Sequence, residues 1–286
     1  MNRRELLLLS SAVAASGVLA SAKAAETAPV KRTVKAKNLV IGVGRPKTIV
    51  PITGTTADEA LAQARVIGAS ADTDVVEFRV DFLDIAMEPA KLAALGKQLP
   101  ALLNGKPIIT TFRTQAEGGK KPISDKAYAD LYTSLLRAGF SDLIDVEMFR
   151  DAAVVTRLVD AAHRSGVSVV MSSHDFGGTP AVEEMLSRLR RQQELGADIL
   201  KLAVMPRDPA DVLKLLSATW EMSSRYADRP LMTMSMAGNG VVSRLAGEIF
   251  GSAMCFGMIG RASAPGQVEV DKLAATLDLI HGALHA

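Results

Sequence analysis

Two polar residues stand where a buried β-strand would not ordinarily hold them. VVMSSHDF (169–176) runs from apolar β-formers into His174 and Asp175, and ADILKLAVMP (197–206) carries Lys201 inside another apolar run. Burying an ammonium without a partner is costly, and burial favours the neutral amine. A neutral lysine amine attacks carbonyl carbon, and an imidazole beside it can carry protons in either direction near neutral pH. Further ionisable groups cluster at strand ends. Glu77, Arg79 and Asp81 share one parity in VVEFRVD, so they point to one face. Arg113 ends PIITTFR, Asp145 and Glu147 come late in LIDVEMF, and Met234 and Met236 share parity in PLMTMSMA. A mouth with both signs of charge, a nucleophile and an apolar wall suits a polyhydroxylated anion.

The elements that must position these residues follow a regular alternation. Eight β-rich runs (48–54, 74–82, 107–113, 143–149, 168–176, 199–205, 230–237 and 254–260) are separated by amphipathic segments such as ADEALAQARVIGAS and DKAYADLYTSLLRAG. Several of these segments end on helix-stopping glycines, Gly139 and Gly166 among them. The count and the length predict a (β/α)8 TIM barrel over 37–286, with function at the C-terminal ends of the strands. A doubly wound open sheet is the alternative, but no Gly-x-Gly-x-x-Gly turn follows the first strand. KNLVIG (37–42) has no helix after it and is read as part of a hairpin closing the N-terminal face.

Composition narrows the function classes. The 286 residues are 48% hydrophobic, with net charge +2 from 33 basic and 31 acidic residues, so no basic stripe advertises nucleic acid. The single Cys255 excludes an internal disulfide and a cysteine metal cluster. The four histidines are scattered, no metal site is expected, and His163, His281 and His285 are read as solvent-facing. The N-terminus has another character: Arg3 and Arg4, an apolar stretch from Leu6 to Ala20, then Ala22-Lys23-Ala24. That layout predicts a signal peptide over 1–24, a mobile lead-in over 25–36 and export to the periplasm, with the membrane met only in transit. The paired arginines suggest the twin-arginine route, with general secretion the alternative because Asn2 stands where that route usually has Ser or Thr.

EFRVD, TFRTQAEGG, MSSHDF, ADILKLAVMP, TMSMAGNGVVSRLAGEIFGS and ASAPGQ, in this order, resemble type I 3-dehydroquinate dehydratase from about residue 37 to the C-terminus. The resemblance implies a homodimeric barrel, without metal or organic cofactor, that dehydrates 3-dehydroquinate to 3-dehydroshikimate through a lysine Schiff base. Lys201 matches the Schiff-base lysine, His174 the general acid/base and Glu117 the carboxylate that orients the imidazole. Arg244 matches the arginine for the substrate carboxylate, and Ser263 and Gln267 the lid residues. Glu77, Arg79 and Arg113 resemble the groups that hold ring hydroxyls and balance local charge; Met234, Met236 and Phe256 resemble the wall against the carbocycle. Asp145 and Glu147 are read as interior support. The export signal departs from the family's usual cytosolic setting, and Pro51 stands where some relatives carry a small polar residue.

Two rival readings remain at this level. A class I aldolase or transaldolase also uses a barrel lysine imine, with SMAGNG as a possible phosphate nest. An exported binding protein for hydroxy acids would use the same mouth without catalysis.

Overall fold

The computed structural model describes residues 31–286. The expected signal peptide, and the lead-in up to residue 30, lie outside the described residues. Eight parallel strands form one sheet: β3 (Lys47–Ile52), β4 (Val75–Arg79), β5 (Ile108–Thr111), β6 (Leu143–Glu147), β7 (Ser168–Asp175), β8 (Ile199–Val204), β9 (Leu231–Ser235) and β10 (Met254–Phe256). Each pairs with its sequence neighbour, and β10 returns to pair with β3. A bridge between Leu231 and Ser252, with Ala253 N–H donating to Leu231 O at 2.7 Å, closes the ring between β9 and β10. The result is the eight-stranded α/β barrel that the alternation predicts.

The helices are α1 (Ala57–Ala69), α2 (Pro89–Gly96), α3 (Leu99–Leu102), α4 (Asp125–Ala138), α5 (Ala152–Arg164), α6 (Val182–Glu194), α7 (Pro209–Glu221), α8 (Val241–Leu245) and α9 (Val270–Leu284). Thr56, Ser124, Asp151 and Asp208 cap α1, α4, α5 and α7 by accepting from backbone N–H groups of the first turn. Apolar residues on the outward strand faces, such as Val50, Val76, Phe78, Ile144 and Leu200, pack on the helices. Because both faces of each strand are covered, the strands read as continuous apolar runs.

The inward faces divide along the barrel axis. Near the N-terminal ends, Ile49, Val75, Ile109, Leu143, Val170 and Ile199 form an apolar floor. A hairpin of β1 (Val34–Ala36) and β2 (Leu39–Ile41) plugs that floor with Val34, Ala36 and Ile41. Lys37, at the hairpin tip, reaches Lys106 O at 2.9 Å and Asp142 at 3.2 Å. The hairpin is the one expected from KNLVIG, but its first strand lies inside the stretch read as mobile lead-in. Alternate burial of Val34 and Ala36 orders those residues. Two residues further along β4 to β8 the interior turns polar, with Glu77, Thr111, Asp145, Ser172 and Lys201, and there the site begins.

Candidate active site

Lys201 is only 3% exposed and points into the upper lumen from the middle of β8. Its backbone N–H and C=O are both held by the buried amide of Gln192 on α6, each at 2.9 Å. That clasp fixes the strand position from behind. The Nζ donates to Asp145 Oδ2 at 2.8 Å, lies 3.9 Å from Glu77 Oε1 and sits 4.9 Å from the centre of the Phe256 ring. The amine thus stands between carboxylates and an aromatic ring. The amine must leave an ion pair, and shed a proton, before it can condense with a carbonyl.

Arg113, just beyond β5, is the hub of the charged wall. Its guanidinium donates to Asp145 Oδ1 at 2.7 Å, Glu147 Oε1 and Ser172 Oγ at 2.9 Å, and Glu117 Oε2 at 3.4 Å. Burial alone would lower its pKa, but Asp145, Glu147 and Glu117 outweigh burial and hold it well above the ordinary value. Asp145 responds in kind. Burial opposes its ionisation, yet Arg113 and Lys201 keep its carboxyl below the usual range. Arg79 makes a bidentate pair with Asp81 at 2.8 and 2.9 Å. Glu77 accepts from Thr111 Oγ1 at 2.9 Å.

His174 stands two residues further along β7 than Ser172, the register partner of Lys201. Its backbone is therefore one strand over (~4.8 Å) and two residues up (~6.6 Å) from that of Lys201, on the same inward face. Its Nδ1 lies 2.8 Å from Glu117 Oε2. That oxygen already accepts from the His174 backbone N–H at 3.2 Å and from Arg113, so Nδ1–H is the donor. The Nε2 lone pair is left free, the tautomer a general base requires. Burial, then Arg113 and Lys201, push the imidazole pKa well below its usual value, so the ring is neutral at rest. Burial also pushes the Glu117 carboxyl up to about 8, with Arg113 opposing.

The opposite wall is built differently. Met234, Met236 and Phe256 line it, and Arg244, from α8, is 1% exposed. Its NH2 donates to Pro265 O at 3.2 Å, its NH1 lies 3.8 Å from Met234 Sδ, and its Nε has no protein partner. No carboxylate pairs with it among the described residues. Burial, opposed only by Cys255, lowers its pKa. Ser263 and Gln267 hold each other across the loop after β10: Ser263 N–H donates to Gln267 Oε1 at 2.8 Å, and Gln267 Nε2 to Ser263 Oγ at 3.0 Å. Ala237 N–H donates to Pro265 O at 3.2 Å, docking this loop on the end of β9. Gly266 makes the approach possible, since a Cβ there would lie 2.4 Å from Ala237 O at a φ of +81°.

One cavity at the C-terminal end of the barrel, open to solvent, is lined by Glu77, Arg79, Arg113, Glu117, His174, Lys201, Met234, Met236, Arg244, Phe256, Ser263 and Gln267. All twelve residues singled out in the sequence meet there. Arg113 and Arg79 take the charge-balancing part of their expected role: Arg113 spends its donors on protein groups, and Arg79 is committed to Asp81. Asp145 is more than interior support, because it touches the lysine amine. Gln192 and Ser172 carried no signal in the sequence: an amide on a helix face and a serine in a strand are ordinary, and their partners come from other elements. Of the other histidines, His163 and His285 are exposed as expected, His163 beside Asp198 at 2.9 Å, whereas His281 is half-buried against Glu248 at 2.5 Å.

Comparison with known proteins bears on this geometry. The family model for type I 3-dehydroquinase matches residues 48–283. The chain is similar to a 3-dehydroquinate dehydratase of Bacillus licheniformis, with 47% identity over 88% of this chain and 98% of the relative. It is 46% identical to a catabolic 3-dehydroquinate dehydratase of Acinetobacter baylyi, over 92% of this chain and 97% of that one. Among solved structures, a type I 3-dehydroquinate dehydratase from Clostridium difficile, crystallised with covalently modified comenic acid, is similar at a TM-score of 0.86 and 45% identity. That likeness covers 89% of this chain and all of the other. The match spans the whole barrel, floor to lid, and this chain belongs to the type I 3-dehydroquinase family.

Proposed function

We propose that this chain is a 3-dehydroquinate dehydratase of the shikimate/quinate pathway, working through an iminium on Lys201. The carrying observation is that the Lys201 amine, the free Nε2 of His174 and the unpaired Arg244 guanidinium face one cavity. A bidentate guanidinium fits the substrate carboxylate and anchors the ring. Lys201 passes a proton to the free Nε2 of His174, leaves Asp145 and adds to the ketone carbon. The carbinolamine loses water, with His174 passing the proton, and the C=N⁺ bond forms. The iminium draws electrons from the neighbouring C–H bond, His174 Nε2 takes that proton, and an enamine results. The enamine pushes out the β-hydroxyl, which leaves as water with the proton that His174 returns. Water then adds to the iminium, releasing the enone and Lys201. Glu117 supports the imidazolium formed midway. The loop bearing Ser263 and Gln267 excludes water while it is closed.

Incubation with 3-dehydroquinate should raise near-ultraviolet absorbance from the new conjugated enone; no rise would sink the assignment. Borohydride added during turnover should leave an adduct on Lys201 in tryptic peptides, and Lys201→Ala should lower kcat by at least about a thousandfold. Normal turnover with an unmodified Lys201 would reject the covalent route. An aldolase would leave dehydroquinate unchanged, and a binding protein would hold it intact.

The signal-like residues 1–24 support export, and with it a role in quinate catabolism outside the cytoplasm. Fractionation with N-terminal sequencing tests this, and a mature chain found only in the cytosol would remove it. The exposed Leu213 and Trp220 on α7, with Val242 on α8 and Ile249 just after it, support a homodimer through that face. A monomer by light scattering would overturn that pairing.

A further inference from the structure

A second set of potential ligands meets at the other end of the barrel. Glu248 lies in the turn Gly247–Phe250 that precedes β10, at the N-terminal face, whereas Lys201 and His174 face the C-terminal mouth. His281 and His285 are one turn apart at the end of α9, and so share a face. His281 Nδ1 is 2.5 Å from Glu248 Oε1, and the two imidazole centres are 4.3 Å apart. One ligand atom from each of the three residues lies within 4.8 Å of the other two. Glu248 Oε2 is buried with no hydrogen-bond partner.

We infer that Glu248, His281 and His285 form a binding site for a divalent transition-metal ion of the zinc class, joining the turn before β10 to the end of α9. Two imidazoles and one carboxylate are a donor set that zinc accepts, and nitrogen donors disfavour magnesium and calcium. The histidine spacing in HGALH places both rings on one side of a helix, as a shared ion demands. His285 Nδ1 is engaged with His281 O at 2.9 Å, which leaves Nε2 as its donor atom. Metal-bound imidazoles are commonly oriented by this type of bond. Ligands at ~2.1 Å from one tetrahedral ion lie about 3.4 Å apart. From within 4.8 Å of one another the three must therefore close by up to about 1.4 Å, and the exposed His285, just past the last turn of α9, can turn its ring to supply most of that. Lys47, on the same side, is tied to Val43 O at 3.0 Å and leaves the carboxylate to the histidines. Such an ion takes no part in the dehydration; it fastens α9, the helix that follows the lid loop, to the barrel floor.

The test uses untagged full-length protein. Equilibrium dialysis against Zn²⁺ should retain one zinc per chain by mass spectrometry, and the thermal midpoint should rise with zinc concentration while dehydratase turnover stays unchanged. His285→Ala, which leaves the His281–Glu248 pair in place, should weaken binding roughly tenfold or more and abolish the midpoint shift. Glu248→Gln should do the same. His285→Ala binding zinc as tightly as the parent, or a parent retaining far less than one zinc per chain, would overturn the site. Midpoints measured without metal separate lost binding from lost folding, and activity is followed separately, so failure here leaves the assigned reaction standing.

Discussion

Two buried arginines face the same cavity and are treated in opposite ways. Arg113, 4% exposed, is enclosed by three carboxylates and a serine, and its pKa is held up. Arg244, 1% exposed, has a carbonyl, a thioether and an unused Nε, and its pKa is lowered by burial. A buried charge without a counter-charge is unfavourable, and a fold keeps one only where something else supplies the partner. The satisfied arginine belongs to the architecture: it gathers β5, β6 and β7 and sets the field around Lys201 and His174. The unsatisfied one keeps donors free toward the cavity. Between these two arginines, satisfaction rather than burial or position in the mouth is the difference.

Removing Arg113 should break this contrast most severely. Arg113→Met leaves Asp145, Glu147 and Glu117 buried without their common cation, at a cost of roughly 3–5 kcal/mol of folding stability. Urea unfolding measures that loss, and an unchanged midpoint would mean that the three carboxylates find other partners. Arg244→Met should behave in the opposite sense. Stability should hold within about 0.5 kcal/mol or improve, because an unpaired buried charge is lost. The substrate carboxylate then loses its partner, worth roughly 2–5 kcal/mol, so KM should rise by about thirtyfold or more. A variant that unfolds readily while keeping the parental KM would exchange the roles given to the two arginines.

The sequence carried the barrel well for a physical reason. Strands buried on both faces leave unbroken apolar runs, and the helices between them leave a 3.6-residue stripe. The strand ends were less legible. DVVEFRVDF reads as a strand to residue 82, but β4 stops at Arg79 and Val80–Phe82 forms a 3-10 turn, with Asp81 paired back to Arg79. MCFGMIG reads to residue 260, but β10 ends at Phe256, where the chain leaves for the lid loop. Lys201, His174 and Arg244 were legible because their residue types clash with their surroundings or match an ordered set of motifs. Asp145 at the amine, Gln192 behind β8 and the Glu248–His281 pair were not. Each joins residues from distant elements, and no local pattern encodes such a meeting. HGALH did carry the i,i+4 histidine spacing; its third partner, 33 residues upstream, is visible only in three dimensions.

The smallest effect concerns Glu117, and pH is the variable that exposes it. Burial raises this carboxyl to about 8, so it sheds its proton as pH rises through that value. Once ionised, it faces Nδ1–H of His174 and stabilises the imidazolium, so Nε2 becomes a stronger base. The kcat/KM of the parent should therefore climb between pH 7 and pH 9. Roughly a tenth of the carboxyl is ionised at pH 7 and nine-tenths at pH 9, by the ordinary titration curve about that value. Glu117→Gln fixes the side chain in a neutral form, so it should lose this limb: little change at pH 7, about a tenfold deficit at pH 9. The imidazole and this carboxyl share one hydrogen bond, so the limb belongs to the pair and its midpoint is an apparent one. A Gln variant that climbs as steeply as the parent would move the ionisation to another group and leave Glu117 a purely orienting residue.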